Sequence, residues 1–146
     1  MRTRLGTGLL LAALLLPPLS STRADPVDPT PAFIAELQNA IRDDDKAWLA
    51  DHLHLPVNYF GKTDQIIRSK DWFLRHYPTL IGPELKQNVL AQKPEEYFKN
   101  YQGVMIGDGG LNIWVEDFGD EGAGIPARFE IITINNSPPD RRPAKK

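Results

Sequence analysis

The side chains of this sequence that could serve as a general acid–base set are Asp51, His54, Tyr59, His76 and Tyr77. Such chemistry needs a carboxylate, imidazole or phenol within hydrogen-bond reach of the proton it moves. A second group lies further on. Trp114 and Glu116 alternate with Ile113 and Val115, so on a strand they share one face with Asn112 and Phe118. If that face lines a cavity, Trp114 is an apolar wall and burial raises the Glu116 carboxyl into the range of a base. If it meets solvent or a partner subunit, Trp114 is an interface residue. Packing or interface is the favoured of these two readings. The catalytic candidates are therefore Glu116, His54 and Tyr59. The ligand-binding candidates are Trp114, Met105, Tyr59 and Trp72.

Plainer readings stand beside these. Tyr59 and Tyr77 suit the edge of a core, with a ring inside and a hydroxyl at water. His76 suits a helix surface. His52 and His54 are two apart and do not share a helical face. No HExxH motif accompanies them, and His52 suits the charge of a helix C-terminus. Asp43, Asp44 and Asp45 would diverge around a helix, which makes a poor metal cage, whereas an acidic run favours a helix N-terminus. No metal and no cofactor is expected. Lys62 in Gly61-Lys62-Thr63 is not part of a phosphate loop, because that motif needs glycine where Pro56 stands. The glycines of 107–110 lie between two strands, whereas a dinucleotide fingerprint needs a strand and then a helix.

The elements that must position these residues follow a leader. Arg2 and Arg4 precede the apolar run Leu9 to Leu16, then Pro17-Pro18, and Thr22-Arg23-Ala24 approximates a small-x-small cleavage site. That order is a secretory signal peptide over residues 1–24. Its apolar run falls short of the roughly 20 residues of a spanning helix. Export to the periplasm or outside the cell is expected, with no membrane attachment after cleavage. Of the 17 basic residues, Arg2, Arg4 and Arg23 leave with the leader, against 19 acidic residues in the whole chain. The acidic remainder argues against nucleic acid as a partner. The sequence contains no Cys, which excludes disulfides, thiolate metal sites and lipid attachment at a cysteine.

Residues 25–30 read as a linker, 31–136 as one domain, and 137–146 as a disordered, proline-rich basic tail. Thr30-Pro31 reads as a capping hydroxyl and a first-turn proline. Phe33, Ile34, Leu37, Ala40 and Ile41 follow at helical spacing. Lys46 to Leu53 reads as a second helix, with Trp48, Leu49 and Leu53 inward. Leu55 to Phe60 and Asp64 to Arg68 read as a hairpin. Ser69 caps a helix that Pro78 should end or break, and Pro83 to Ala91 reads as a fourth helix. Two strands flank Asp108-Gly109, a pair suited to a tight primed turn. After a flexible loop, Ala127 to Asn135 is the last strand, apolar in part on both faces. Helices first and consecutive strands later predict an α+β domain, its N-terminal helices packed on a curved, mostly antiparallel sheet.

The segments FIAELQNAIRDDDKAWLADHLHLPVNYFGKT, IIRSKDWFLRHY, YQGVMIGDGGLNIWV and IITINN resemble the NTF2-like (cystatin-like, SnoaL-like) cone fold. They are similar in particular to a group of small exported bacterial proteins with that fold. The resemblance covers about residues 32–136 and rests on structural positions. It implies a conical space between helices and sheet. Ketosteroid isomerases, dehydratases and polyketide cyclases of this fold place Asp, His or Tyr there, while other members only bind ligands or dimerise. Where the family commonly has a glutamate early in the second hairpin strand, this chain has Leu111-Asn112, so that residue's role does not carry over. The expectation is an exported, non-catalytic domain that binds a small apolar ligand or a protein partner and can form a homodimer through the sheet face. One alternative is an isomerase, dehydratase or hydrolase using Glu116 or His54 as base. The other is an envelope accessory or immunity-type interaction protein. A cavity with converging polar groups would favour the enzyme; a filled cone and an exposed apolar patch would favour interaction.

Overall fold

The computed structural model describes residues 25–138; the expected leader, and all but the first two residues of the expected tail, lie outside them. The helical period beginning at Phe33 forms α1, Thr30–Arg42, and buries Phe33, Ile34, Leu37, Ala40 and Ile41. Its start is not capped by the Thr30 hydroxyl. The cap residue is Pro29, and the Thr30 amide donates instead to Asp28 Oδ1 at 2.9 Å. Pro31 offers no N–H, so the carboxylate two residues before Thr30 meets the first free donor. Helix α2, Lys46–Asp51, is capped by Asp45, which accepts from the Trp48 amide at 3.0 Å. It stops two residues before Leu53. His52 closes it by donating Nδ1–H to the Trp48 carbonyl at 2.7 Å, because a carbonyl can only accept.

Leu53 already belongs to β1, Leu53–Phe60, which pairs with the short β2, Gln65–Ile67. Ser69 accepts from the Trp72 amide and starts α3, Lys70–Leu80. Pro78 does not end α3. Proline costs the helix one amide bond and a clash with the carbonyl four residues back, yet the helix continues and carries Leu80 and Ile81 into the core, the Ile81 amide bonding Tyr77 O at 2.9 Å. Helix α4, Pro83–Ala91, buries Leu85 and Val89. Then come β3, Phe98–Asn100, β4, Gly103–Asp108, β5, Leu111–Asp117, a 3-10 turn at Glu121–Ala123, and β6, Phe129–Asn136.

The β4–β5 turn is one residue later than the sequence suggests. Asp108 pairs with Leu111, so the loop is Gly109-Gly110, and Gly109 takes φ +54°. Asn88 of α4 holds Asp108 on the strand, donating Nδ2–H to its carboxylate at 2.8 Å and to Leu111 O at 2.6 Å.

The six strands lie in the order β2-β1-β6-β5-β4-β3, antiparallel except for the parallel β1–β6 pair. The sheet is therefore mixed and open, and the domain is α+β. The parallel pair joins the first and last strands, so it closes the topology across the whole chain. Helix α4 packs on β4, β5 and β6, and α1 packs on α2 and α4. Val57, Tyr59, Ile67, Val104, Ile106, Ile113, Val115, Phe129, Ile131 and Ile134 of the sheet are all buried in one core with Phe33, Leu37, Phe73, Leu80 and Leu85 of the helices.

The apolar run of β6 is explained by a bulge. Val115 faces Ile131 and Trp114 faces Thr133, so Ile132 is an extra residue on β6. The bulge turns Ile131 and Ile134 both into the core while Ile132 and Thr133 stay partly exposed.

Candidate functional site

The acid–base candidates are dispersed. Tyr59 is 4 % exposed and points to the helix side. Its hydroxyl lies 3.4 Å from Thr79 O and from Asn136 Nδ2, at the edge of a groove of about 340 Å³. Glu116 and His54 lie on the opposite face of the sheet and are exposed. His54 Nδ1 is 2.7 Å from Glu130 Oε2, Arg128 Nε is 3.0 Å from Glu130 Oε1, and the His54 ring stacks on Phe118 at 4.1 Å. Glu116 is the cross-strand neighbour of Glu130. Asp51 pairs with Lys70, and His76 stacks on Trp72 at the exposed side of α3. The set does not share a cavity.

Tyr77 belongs to a tether between loop and helices. Its hydroxyl donates to Asp44 Oδ1 at 2.9 Å, and the Lys86 ammonium donates to the same carboxylate. Burial first, and then the hydrogen bond to Asp44, push the Tyr77 phenol well above its ordinary value. The hydrogen bonds from Lys86 and Tyr77 hold the Asp44 carboxyl below the usual range. Asp44 takes φ +52°, uncommon for a residue with a side chain. Of the acidic run, Asp44 ties α3 and α4 to the α1–α2 loop, and Asp45 caps α2. Among the described residues no three metal-ligating side chains converge.

Among the described residues the helices cover only one face of the sheet. On the other, a row of cross-strand neighbours runs through all six strands: Phe98, Met105, Trp114, Thr133, Asn58 and Ile66. Phe98 is 53 % and Ile66 49 % exposed, and Phe60, on the same face, is 44 % exposed. Phe98 stands edge-on to Trp114, ring centres 6.2 Å apart, an orientation aromatic pairs favour. Beside Trp114 lies a groove of about 530 Å³. Its apolar wall is Trp114, Phe60 and Ile132. Its polar wall is the amides of Asn58, Gln102 and Asn135 with the Thr133 hydroxyl.

Two of the ligand-binding candidates, Trp114 and Met105, are thus brought side by side on the open face. Tyr59 lies on the covered face, and Trp72 lies on α3. Sequence reasoning did not select Asn58, Gln102, Asn135, Phe60 or Ile132. The alternation in NYF, which places Asn58 and Phe60 on one side, was the available signal. The bulge that aims Ile132 outward leaves none. Comparison with known protein families, with curated proteins and with solved structures finds no match. Among the described residues no helix is long and apolar enough to cross a membrane.

Proposed function

We propose that this is an exported, non-catalytic interaction domain of the NTF2-like type whose working surface is the uncovered sheet face, and that a second copy of the chain takes that face. One observation carries the reading: the row from Phe98 to Ile66 crosses every strand of the sheet on the side that α1–α4 leave uncovered. The row is rich in the aromatic residues and methionine that interface cores favour. Six strands about 4.8 Å apart, of three to eight residues at about 3.3 Å each, give a face of roughly 550 Å². That is about two thirds of the roughly 800 Å² per partner of a standard stable complex, the size of a smaller interface. A two-fold interface needs one patch that meets itself, and a nearly charge-free row meets a copy without like-charge repulsion. The leader supports export, and the placement of α1–α4 on one sheet face supports the NTF2-like type. The dispersion of Glu116, His54 and Tyr59 over two faces supports a role without catalysis.

The test is sedimentation equilibrium on residues 25–146. The wild type is expected to be dimeric, and Trp114→Glu monomeric with an unchanged far-ultraviolet spectrum. A wild type that stays monomeric at about 100 µM, far above a micromolar Kd, overturns the reading. So does a Trp114→Glu variant that remains dimeric. A monomer that binds a different protein through this face would point instead to the accessory or immunity-type role.

A further inference from the structure

The centre of the open face is chemically unlike its flanks. Phe98, Met105 and Ile66 lie at the flanks, but the groove between them is rimmed by amides. Asn58 and Gln102 make no side-chain hydrogen bond among the described residues, and Asn135 uses only its Nδ2, which donates to Asn112 Oδ1 at 2.6 Å. Each primary amide offers two donors and two acceptor positions. Unmet polar groups are costly to bury against a surface that cannot pair with them. The centre therefore offers a small polar ligand hydrogen-bond partners that the flanks lack.

The lining also restricts what does fit. Among the described residues no charged side chain lines the groove, so a phosphate or carboxylate would find no counter-charge in that lining. A purely apolar ligand would leave the amides unpaired. A ring with hydroxyls on its rim and C–H groups on its face satisfies both walls. Its weakly positive C–H groups lie on the electron-rich face of the Trp114 indole, and its hydroxyls both donate to and accept from Asn58, Gln102, Asn135 and Thr133. A volume of about 530 Å³ lies within the usual range for small-ligand sites.

We propose that this groove is a binding site for a neutral saccharide, with Trp114 as the stacking platform and the Asn58, Gln102 and Asn135 amides as its hydroxyl readers. The proposal rests on the reading of the open sheet face as the working surface; the saccharide and a second copy compete for Trp114, so bound sugar displaces the copy. It names a free sugar or a glycan chain by their shared chemistry.

The experiment is a titration of isotope-labelled residues 25–146 with chitotriose, cellotriose, maltotriose and their monosaccharides. The resonances followed are the Trp114 indole N–H and the side-chain amides of Asn58, Gln102 and Asn135. At least one neutral sugar is expected to shift these signals in a saturable way, with Asn58→Ala and Asn135→Ala weakening it at least tenfold. Glucuronic acid is expected to bind more weakly than glucose. Binding that strengthens with chain length points to a glycan chain, and equal binding of monosaccharides points to a free sugar; either supports the site. Silence of all four resonances at about 10 mM sugar, above a millimolar Kd, overturns the saccharide. If the same sample is then a dimer that Trp114→Glu dissociates, the working-surface reading stands without it. A silent, monomeric sample sinks both.

Discussion

The two faces of this sheet are made from alternate residues of the same strands, and they differ in almost every respect. On the helix side, Val57, Ile106, Ile113 and Val115 are fully buried. On the other side, Trp114 and Met105 are only half-buried, and Asn58 and Glu116 reach solvent. The pleat lets a strand serve both faces independently, because side chains alternate with period two. Burial is concentrated on one side and the proposed recognition lies on the other, so a substitution on one face should leave the other face's property intact.

The sharpest way to break this comparison is to remove a fully buried side chain. Phe73 is 0 % exposed, and Phe73→Ala is expected to cost about 3–5 kcal/mol in chemical denaturation. Trp114→Glu reverses the pattern. It is expected to change folding stability by less than about 1 kcal/mol, yet to weaken self-association at least a hundredfold, about 2.7 kcal/mol. Equal effects of these two changes on stability would mean that the outer face is part of the core.

A smaller effect tests the helix side through pH. Asp44 has its carboxyl lowered from 3.8, so its contribution is present above pH 3.8 and is lost as pH falls through the lower folded value. Tyr77 is raised from 10.0, so its contribution is present below pH 10 and is lost as pH rises above it. Asp44→Asn, which tolerates the positive φ, is expected to lower the melting temperature between these limits and to flatten the acid limb. An unchanged pH–stability curve would show that the tether contributes nothing. The smallest effect belongs to the outer face. His54→Ala removes an exposed pair with Glu130 and is expected to shift stability by no more than about 0.5 kcal/mol at neutral pH.

Much of the fold was legible because local rules decided it. The spacing of Phe33, Leu37 and Ile41, the Ser69 cap and Pro83 in the first turn of α4 all act within a few residues. What was not legible depends on distant partners. The parallel contact of β1 with β6 joins residues more than seventy positions apart, and no local pattern announces it. Pro78 was read as a helix end because the breaking rule is local, while burial of Leu80 and Ile81 is not. The β4–β5 turn fell on Gly109-Gly110 because Asn88 of α4 holds Asp108 in line. Leu53, read as the end of the second helix, is the first residue of β1 because His52 closes α2. At the candidate site, Trp114 and Met105 could be singled out as large apolar residues on a strong hairpin. Which face they share could not, because register is set by the partner strands and by the bulge at Ile132.

The two outermost strands, β2 and β3, are only three residues long, and Lys99 sits in the middle of one of them. A sheet grows into a fibre by adding strands along its exposed edges, and short, charged edges offer little template for that. The proposed attraction is directed out of the sheet plane instead. A surface that recognises its own copy face to face is consumed by a single encounter, whereas an edge renews itself with each addition. In the proposed dimer the brevity of β2 and β3 would make the assembly self-terminating: its stoichiometry would stop at two, with no edge to start propagation.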